Sequence, residues 1–326
     1  MNLFEKFINR AKTNYRSIVF PEGEAPEIVK AAHRAQTLGI CAPILLGDAE
    51  VIRAVCQKNE IPEDTWYKAI DPGKQDMKAV AARLSDISNL DLITAQFLLE
   101  QPLYYGTMML RDGQADAMVA GFIAETAEVI SAGMMIVGLT EGITSPSSFF
   151  IMDIPGFKGS EGSLLIYADA GVNIDPTAEE LADIAVETAK NASSLLGWEP
   201  RVALLSFSTK GSASHEKADK VLEALRIARE KAPNMRIDGE LQADAALSSN
   251  VAEKKVPGGS KVAGQANILI FPDLNAGNIA YKLTQRLTGG QAYGPILQGF
   301  RKPICDLSRG STVDDIFGII CIAAVE

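Results

Sequence analysis

Short apolar segments alternate with helical patterns along the whole chain of 326 residues. Residues 17–20 and 42–46 are apolar runs of strand length, and amphipathic helical patterns follow them at residues 25–38 and 50–59. Strands that alternate with helices in this way are typical of a mostly parallel sheet with helices on its faces. We therefore predict an α/β fold.

The same alternation continues to the C-terminus. Residues 148–154 and 164–168 are two further strand patterns, and the Gly-Pro turn cluster at residues 155–159 between them is typical of an antiparallel hairpin. After Ala276 the sequence becomes rich in glycine, with Gly277, Gly289, Gly290, Gly294 and Gly299. The other predicted elements are an amphipathic helix within residues 1–16, a strand at 115–120, helices at 126–136, 178–196 and 215–232, strands at 202–207, 268–272 and 302–306, and a last helix from about Thr312.

The length suggests two domains, at about 150 residues per domain. The antiparallel hairpin marks the start of a second α/β series, so we place a boundary near residues 144–147. We predict a first α/β domain of residues 1–146 plus 297–326 and a second α/β domain of residues 147–296. The last thirty or so residues would then return to the first domain.

Composition excludes several classes of function. A formal net charge of −10 and a pI near 4.9 give the chain no general attraction for nucleic acid. The longest apolar stretch, residues 316–325, is shorter than the roughly 20 residues that span a bilayer, so no membrane association is expected. The four cysteines form no CxxC pair, and the N-terminus lacks the apolar stretch of a signal peptide. A cytoplasmic protein without a structural metal fits these features.

Histidine is scarce, since only His33 and His215 occur. Catalysis that needs a histidine base or several histidine metal ligands therefore has little to draw on. We interpret His33 as an ordinary residue on a helix face and His215 as a residue at the start of a helix.

Positive charge collects in one glycine-rich segment. Residues 257–310 carry a net charge of +4, so the rest of the chain carries about −14. Arginine side chains and backbone N–H groups bind phosphate and carboxylate well, so the clustering favours a small anionic ligand over a merely solvated surface. The basic residues of this segment are Lys261, Lys282, Arg286, Arg301, Lys302 and Arg309, and the acidic ones are Asp273 and Asp306.

Within that segment, DLSRGSTVDD at residues 306–315 places hydroxyls, a guanidinium and carboxylates around the start of a helix. If Ser311 or Thr312 is the N-cap, Asp314 and Asp315 fall in the first turn, where acids also have a purely structural role. The helix N-terminus itself favours an anion. The order serine, arginine, aspartate supplies a hydroxyl donor, a phosphate clamp and a base, which suffice for acyl or phosphoryl chemistry without histidine.

These motifs closely resemble those of the phosphate acetyltransferases, which exchange an acyl group between phosphate and the thiol of coenzyme A. The phosphate butyryltransferases and the acyltransferase-like halves of some malic enzymes are weaker matches. The resemblance rests on PEG from Pro21, YYGTMML from Tyr104, ADAMVAG from Ala115, LSFSTKGSA from Leu205, DGELQADAAL from Asp238, ANILIFPDLNAGNIAYKLTQRL from Ala266, GPILQG from Gly294 and DLSRGSTVDDI from Asp306.

The resemblance implies two α/β domains with a cleft between them, a fold similar to isocitrate and isopropylmalate dehydrogenases, and a homodimer formed through the second domain. By position in the motifs, Asp315 would remove the proton from the CoA thiol. Ser308 would donate a hydrogen bond to the tetrahedral oxyanion, and Arg309 would bind the phosphoryl group. No metal and no permanently bound cofactor is implied, since coenzyme A is a co-substrate. The further candidates for substrate binding are Thr126, Lys282, Arg286 and Ser311.

The chain departs from the family pattern in two places. Where relatives often have a His-Ser-Thr run followed by an arginine, this chain has Ala124-Glu125-Thr126 and Ser131, and the cysteine of the family's SRGC is Ser311. Two alternatives therefore stay open: transfer of propionyl or butyryl groups, and a non-catalytic relative that binds acetyl phosphate or CoA.

Overall fold

The computed structural model describes residues 3–13, 15–62 and 68–326. The predicted N-terminal helix is found at Leu3–Thr13, while positions 1, 2 and 14 of that prediction lie outside the described residues. The chain divides into two compact units. One consists of Met1–Thr140 with Phe300–Glu326, and the other consists of Glu141–Gly299.

The first unit is built on a parallel sheet. Its described strands are β1 (Arg16–Phe20), β2 (Cys41–Leu46), β3 (Lys68–Ile70), β4 (Ala117–Ala120) and, near the C-terminus, β11 (Ile304–Asp306). They lie in the order β3-β2-β1-β4-β11, and every pair of neighbours is parallel. The helices are α1 (Leu3–Thr13), α2 (Pro26–Thr37), α3 (Ala49–Lys58), α4 (Lys78–Ser88), α5 (Leu92–Leu99), α6 (Pro102–Arg111), α7 (Thr126–Ala132) and α13 (Val313–Ala323).

Parallel pairing places the segments that follow the strands of this unit at one edge of the sheet. Met118 of β4 pairs with Val19 of β1 on one side and with Ile304 of β11 on the other. Because the three strands run in the same direction, the segments that follow them leave the sheet at one edge. In open α/β sheets this carboxyl edge is where ligands bind.

The second unit is built on a mixed sheet. Its strands are β5 (Ser147–Asp153), β6 (Leu164–Ala168), β7 (Arg201–Leu205), β8 (Arg236–Leu241), β9 (Ile268–Ile270) and β10 (Gln291–Gln298), in the order β10-β5-β6-β9-β7-β8. The pairs β10–β5 and β5–β6 are antiparallel and the others are parallel, so the predicted hairpin is confirmed. The helices are α8 (Ala178–Leu196), α9 (Glu216–Lys231), α10 (Ala243–Leu247), α11 (Ser249–Lys255) and α12 (Leu274–Thr288).

The glycine-rich segment after Ala276, for which no element is predicted before residue 302, is regular structure for most of its length. It forms α12 and then β10. A close approach explains why Gly277 lies inside this helix. A Cβ at this position would lie 2.3 Å from the backbone oxygen of Asp169, so α12 can approach that loop only where no side chain intervenes.

Several predicted boundaries hold because they depend on local chemistry. Thr177 caps α8 and forms a capping box with Glu180, and Thr312 does the same for α13 with Asp315. The predicted helix at 126–136 is interrupted, because α7 ends at Ala132 and a π-helical turn follows at Gly133–Val137. Among the residues that the structure describes, no helix combines the length and apolarity needed to cross a membrane.

Replacing Gly277 with alanine tests the close approach of α12. We expect Gly277→Ala to lower the unfolding free energy by about 1–3 kcal/mol, because the added methyl group forces the helix or the Asp169 loop to move. Thermal unfolding followed by circular dichroism measures this. The matched control is Gly73→Ala, where the added carbon meets only Asp71 Oδ1 at 3.4 Å. Equal melting temperatures of the two variants would contradict the packing argument.

Candidate active site

The candidate site of the first unit is formed by the segments that follow β1, β4 and β11. Glu22 lies just after β1, residues 121–126 follow β4, and residues 307–312 connect β11 to α13. The neighbouring order of these three strands brings together segments that are about a hundred to three hundred positions apart in the chain.

The Glu22 carboxylate holds the loop after β4. Its Oε1 accepts hydrogen bonds from the backbone N–H groups of Gly121 at 3.2 Å and of Ile123 and Ala124 at 2.8 Å. Its Oε2 accepts one from the N–H of Phe122 at 2.8 Å. Four consecutive N–H groups that lie outside any helix or strand are thereby satisfied by one side chain, which gives the loop a single conformation.

Asp306, the last residue of β11, contacts the same loop. Its side chain is almost completely buried, and its Oδ2 accepts a hydrogen bond of 2.6 Å from Thr126 Oγ1. Its Oδ1 is buried without a hydrogen-bond partner. Burial raises the pKa of Asp306 to about 6, and repulsion from Glu22 adds to this effect while the Thr126 hydroxyl opposes it.

Gly121 is required by this carboxyl group. A Cβ at position 121 would lie 2.0 Å from Asp306 Oδ1, and the backbone there has a φ of +94°, which disfavours other residues. The sequence AGF at residues 120–122 thus lets the two strands approach closely.

The turn after β11 presents Ser308 and Arg309 on the surface. The N–H of Ser308 donates to Ser311 Oγ at 3.1 Å, and the N–H of Ser311 donates to the carbonyl oxygen of Ser308 at 3.0 Å, so the turn is closed on itself. Arg309 Nη2 forms an ion pair of 3.1 Å with Glu125 Oε1, and both side chains are exposed. An exposed pair of this kind contributes little to stability, so the guanidinium can exchange its partner at small cost.

Asp315 lies in the first turn of α13 and is exposed. Its Oδ2 accepts hydrogen bonds from the N–H of Thr312 at 2.9 Å and from Thr312 Oγ1 at 2.7 Å. Its Oδ1 accepts no hydrogen bond from a described residue. Asp314 beside it pairs with Arg34 at 2.5 Å, so the two neighbouring acids have different roles.

The structure brings together five of the seven predicted site residues. Thr126, Ser308, Arg309, Ser311 and Asp315 all lie at the carboxyl edge of the first sheet. The other two, Lys282 and Arg286, lie one turn apart on α12 of the second unit, and both are exposed. Lys282 Nζ lies 5.0 Å from the ring centroid of Tyr281. A role for these two residues stays a prediction.

A cavity of about 390 Å³ lies beside the loop that Glu22 holds. Its lining includes the acids Glu22, Glu24 and Glu128 and the apolar residues Leu103 and Ile123, but no lysine or arginine of the described chain. Carboxylates repel an anion, so this cavity does not suit a phosphate group. The exposed guanidinium of Arg309 suits a phosphate group better, because it is positively charged.

Sequence reasoning missed the two buried or half-buried acids that organise the site. Glu22 and Asp306 belong to the PEG and DLSRG motifs, and nothing in either motif shows that its acid binds a segment about 100 or 180 positions away. In the second unit, Asp169 and Glu240 are two further buried acids that accept hydrogen bonds from loop N–H groups. The interpretation of His215 is confirmed, because its Nδ1 accepts the N–H of Lys217 as the N-cap of α9.

The described residues contain no group of three or more histidine, cysteine, aspartate or glutamate side chains that could hold a metal ion. The groups that the described residues present at this edge of the sheet are a hydroxyl, a guanidinium, carboxylates and backbone N–H groups.

Substituting Glu22 tests whether one carboxylate holds the loop. We expect Glu22→Gln to destabilise the first unit by about 1–3 kcal/mol. The glutamine amide nitrogen replaces a carboxylate oxygen and is a donor, so it cannot accept hydrogen bonds from the loop N–H groups. Faster hydrogen exchange at the amides of residues 121–124 is the specific readout. Glu27→Gln, which changes a side chain outside this network, is the control, and unchanged exchange in the Glu22 variant would contradict the assignment.

Comparison with known proteins identifies the family of the chain. A family model described as phosphate acetyl/butaryl transferase matches residues 2–324. A phosphate acetyltransferase of Thermoanaerobacterium thermosaccharolyticum is 46% identical over 327 residues, which cover 100% of this chain and 99% of the relative. The solved structure of a phosphotransacetylase from Streptococcus pyogenes superposes with a TM-score of 0.94 at 40% identity, covering 99% of this chain and 97% of that one.

A more distant likeness concerns the fold alone. A Salmonella typhimurium structure named for 4-hydroxythreonine-4-phosphate dehydrogenase superposes with a TM-score of 0.56 at 11% identity, over 96% of this chain and 99% of that one. It agrees with the predicted dehydrogenase-like α/β fold. Together, the family model and the full-length relatives show that the chain belongs to the phosphate acetyl/butaryl transferases, a family of acyltransferase enzymes.

Proposed function

We propose that this chain is a phosphate acetyltransferase, which transfers an acetyl group reversibly between acetyl phosphate and the thiol of coenzyme A in a ternary complex. The observation that carries the proposal is the exposed segment after β11. In eight consecutive positions it presents the Ser308 hydroxyl, the Arg309 guanidinium and the Asp315 carboxylate at the N-terminus of α13. The similarity of the whole chain to phosphate acetyltransferases supports it.

Arg309 binds the phosphoryl group in this proposal. Its guanidinium leaves Glu125 and forms charge-assisted hydrogen bonds with phosphate oxygens, which carry more charge than the glutamate. The nearby N-terminus of α13 favours the same anion. We propose Thr126, Ser311, Lys282 and Arg286 as further contacts to the substrates.

Asp315 acts as the general base. Its Oδ2 is held by Thr312, while its Oδ1 is free to accept the proton of the CoA thiol. A thiol with a pKa near 8.5 is only a few per cent ionised at neutral pH, so a positioned carboxylate speeds formation of the thiolate.

The remaining steps balance without another acid. The thiolate sulfur attacks the carbonyl carbon of acetyl phosphate, and the carbonyl electron pair moves to oxygen, where Ser308 donates a hydrogen bond to it. The oxyanion then re-forms the carbonyl, and the bond from carbon to the phosphate oxygen breaks, with its electron pair leaving on phosphate. Arg309 stabilises that charge, so phosphate departs without protonation by a general acid, and Asp315 then releases its proton to solvent, which restores the base. This scheme accounts for catalysis with two histidines.

The other expectations join this proposal. Coenzyme A serves as co-substrate and no cofactor is permanently bound; the enzyme is cytoplasmic and binds no nucleic acid or membrane. We also propose a homodimer formed through the second unit. The family description includes both acetyl and butaryl transfer, so propionyl or butyryl phosphate is the alternative substrate.

The catalytic assignment predicts a large loss of activity in two variants. In an assay of acetyl phosphate plus CoA followed at the thioester absorbance, Asp315→Asn should lower kcat by about 10²–10⁴-fold because the base is lost. Arg309→Ala should lower kcat/KM by about 10²–10³-fold because the leaving charge is no longer stabilised. Asp314→Asn is the matched control, since Asp314 lies in the same turn and pairs with Arg34.

Near-wild-type rates in both variants would overturn the mechanism. A wild-type protein that binds acetyl phosphate or CoA without turnover would support the non-catalytic alternative. A series of acyl phosphates of increasing chain length, assayed in the same way, distinguishes acetyl transfer from propionyl or butyryl transfer.

Glu125 should weaken substrate binding, because its carboxylate is paired with the Arg309 guanidinium and competes with the substrate phosphate for it. We expect Glu125→Gln to lower the KM for acetyl phosphate by about two- to fivefold, the range that an exposed ion pair can account for, with little change in kcat. The control is Glu50→Gln, which removes one charge from an exposed pair with Arg53. An unchanged or higher KM in the Glu125 variant would show that the pair does not compete with substrate.

A further inference from the structure

Asp306 is a buried carboxyl group that the proposed reaction leaves without a role. It is 1% exposed, it forms no ion pair with a described residue, and its Oδ1 has no hydrogen-bond partner. Its one side-chain partner is Thr126, whose Oγ1 lies 2.6 Å from Oδ2. Thr126 is a proposed contact to the substrate phosphate, so Asp306 is hydrogen-bonded to the hydroxyl that would bind the anion.

The surroundings of Asp306 are mostly acidic. Glu22 approaches from the loop after β1 and repels a negative charge on Asp306. The single cation of the turn, Arg309, is paired with Glu125. Burial raises the pKa of Asp306 to about 6, repulsion from Glu22 adds to this effect, and hydrogen bonding by Thr126 and the Leu307 backbone opposes it. The titratable groups on the elements around it are Glu22 after β1, Glu125 and Glu128 at the start of α7, Cys305 and Arg309 on its own segment, Asp314 and Asp315 on α13, and Glu326 beside Cys305.

The protonation state of Asp306 decides the direction of the Thr126 hydroxyl. An ionised carboxylate can only accept, so Thr126 must then donate its single proton to Oδ2 and can offer an anion nothing but lone pairs. A protonated Asp306 donates to Thr126 Oγ1 instead. The Thr126 proton is then free to point at a phosphate oxygen.

We propose that Asp306 is a positioning residue that orients the Thr126 hydroxyl, and that binding of a phosphate or acyl phosphate at Thr126 is coupled to uptake of one proton from solvent by Asp306. This inference rests on the proposed function, because it takes Thr126 as a phosphate contact. It adds a proton to the binding step and none to the chemical step.

The coupling has a defined sign. Above the pKa of free Asp306 the protein must first be protonated, so the apparent dissociation constant of a tetrahedral dianion rises by up to about tenfold per pH unit. The dissociation constant stops rising at the pH where the anion binds the deprotonated protein, without the Thr126 hydrogen bond, as favourably as it binds the protonated one. Well below pH 6 the group is already protonated, and affinity no longer depends on pH.

Sulfate is the appropriate probe, because it has the shape of phosphate and keeps a constant charge over this pH range. Calorimetric titration of the full chain with sulfate at several values between pH 5 and pH 8, in pairs of buffers with different ionisation enthalpies, gives both affinity and proton uptake. We expect the wild-type protein to lose affinity as pH rises above about 6 and to take up protons on binding between pH 6 and pH 8.

Two variants isolate the Asp306–Thr126 pair. In Asp306→Asn the amide can donate permanently to Thr126 Oγ1, so we expect tight sulfate binding at pH 8, no pH slope and no proton uptake. Thr126→Val should bind sulfate weakly at every pH, whereas Thr126→Ser keeps the hydroxyl and should keep the slope. Asp314→Asn, an exposed acid on α13, is the control that should behave like the wild-type protein.

A purely structural role for Asp306 would change stability or kcat without removing the pH dependence. Retention of the wild-type slope and proton uptake in Asp306→Asn would therefore overturn the proposal. The KM for acetyl phosphate gives a parallel test, since it should lose its pH dependence in Asp306→Asn while kcat changes only a few-fold. Turnover without the sulfate slope would overturn this inference and leave the proposed function intact, and the slope without turnover would do the reverse.

Discussion

The candidate site depends on one carboxylate that accepts four consecutive backbone N–H groups. Residues 121–124 follow a buried strand, and their N–H groups have no helix or strand partner, so they need an acceptor to adopt one conformation. Glu22 supplies it from the neighbouring strand. The position of Thr126, which begins the next helix, follows from that loop, and so does the close approach of Asp306 to Gly121. The Glu22 carboxylate therefore fixes the loop that precedes Thr126.

The second unit uses the same physical device. Asp169, which follows β6, is buried and accepts the N–H groups of Gly171, Val172 and Asn173. Glu240 accepts the N–H of Gly211 and the hydroxyl of Ser208 after β7. In each case a short acid after or within a strand replaces water as the partner of loop N–H groups. Loop N–H groups in both units are thus hydrogen-bonded without the loops being helical.

This design leaves acidic side chains beside a turn that is proposed to bind an anion. Glu22 accepts hydrogen bonds from four N–H groups, Glu125 is paired with Arg309, and burial raises the pKa of Asp306 to about 6. We propose that these three acids accommodate an anion in different ways: Glu22 through the N–H groups that it accepts, Glu125 by releasing Arg309, and Asp306 by taking up a proton. Asp315 differs from all three, since it is exposed and retains an oxygen that no described residue contacts.

Local pattern was enough to predict the α/β class, the hairpin of β5 and β6 and the first residue of α8, because periodicity and capping depend on residues within a few positions of each other. It left the N-cap of α13 open between Ser311 and Thr312, and the structure shows Thr312. The resemblance in the DLSRG motif also pointed to Ser308, Arg309 and Asp315. The sequence alone could not show that α12 is a helix despite its glycines, or that Glu22 and Asp306 organise the loop after β4. Those facts follow from strand order, which brings β1, β4 and β11 side by side and places a carboxylate 2.8 Å from N–H groups a hundred positions away. Such contacts exist only after the sheet has formed, so the tertiary structure alone decided them.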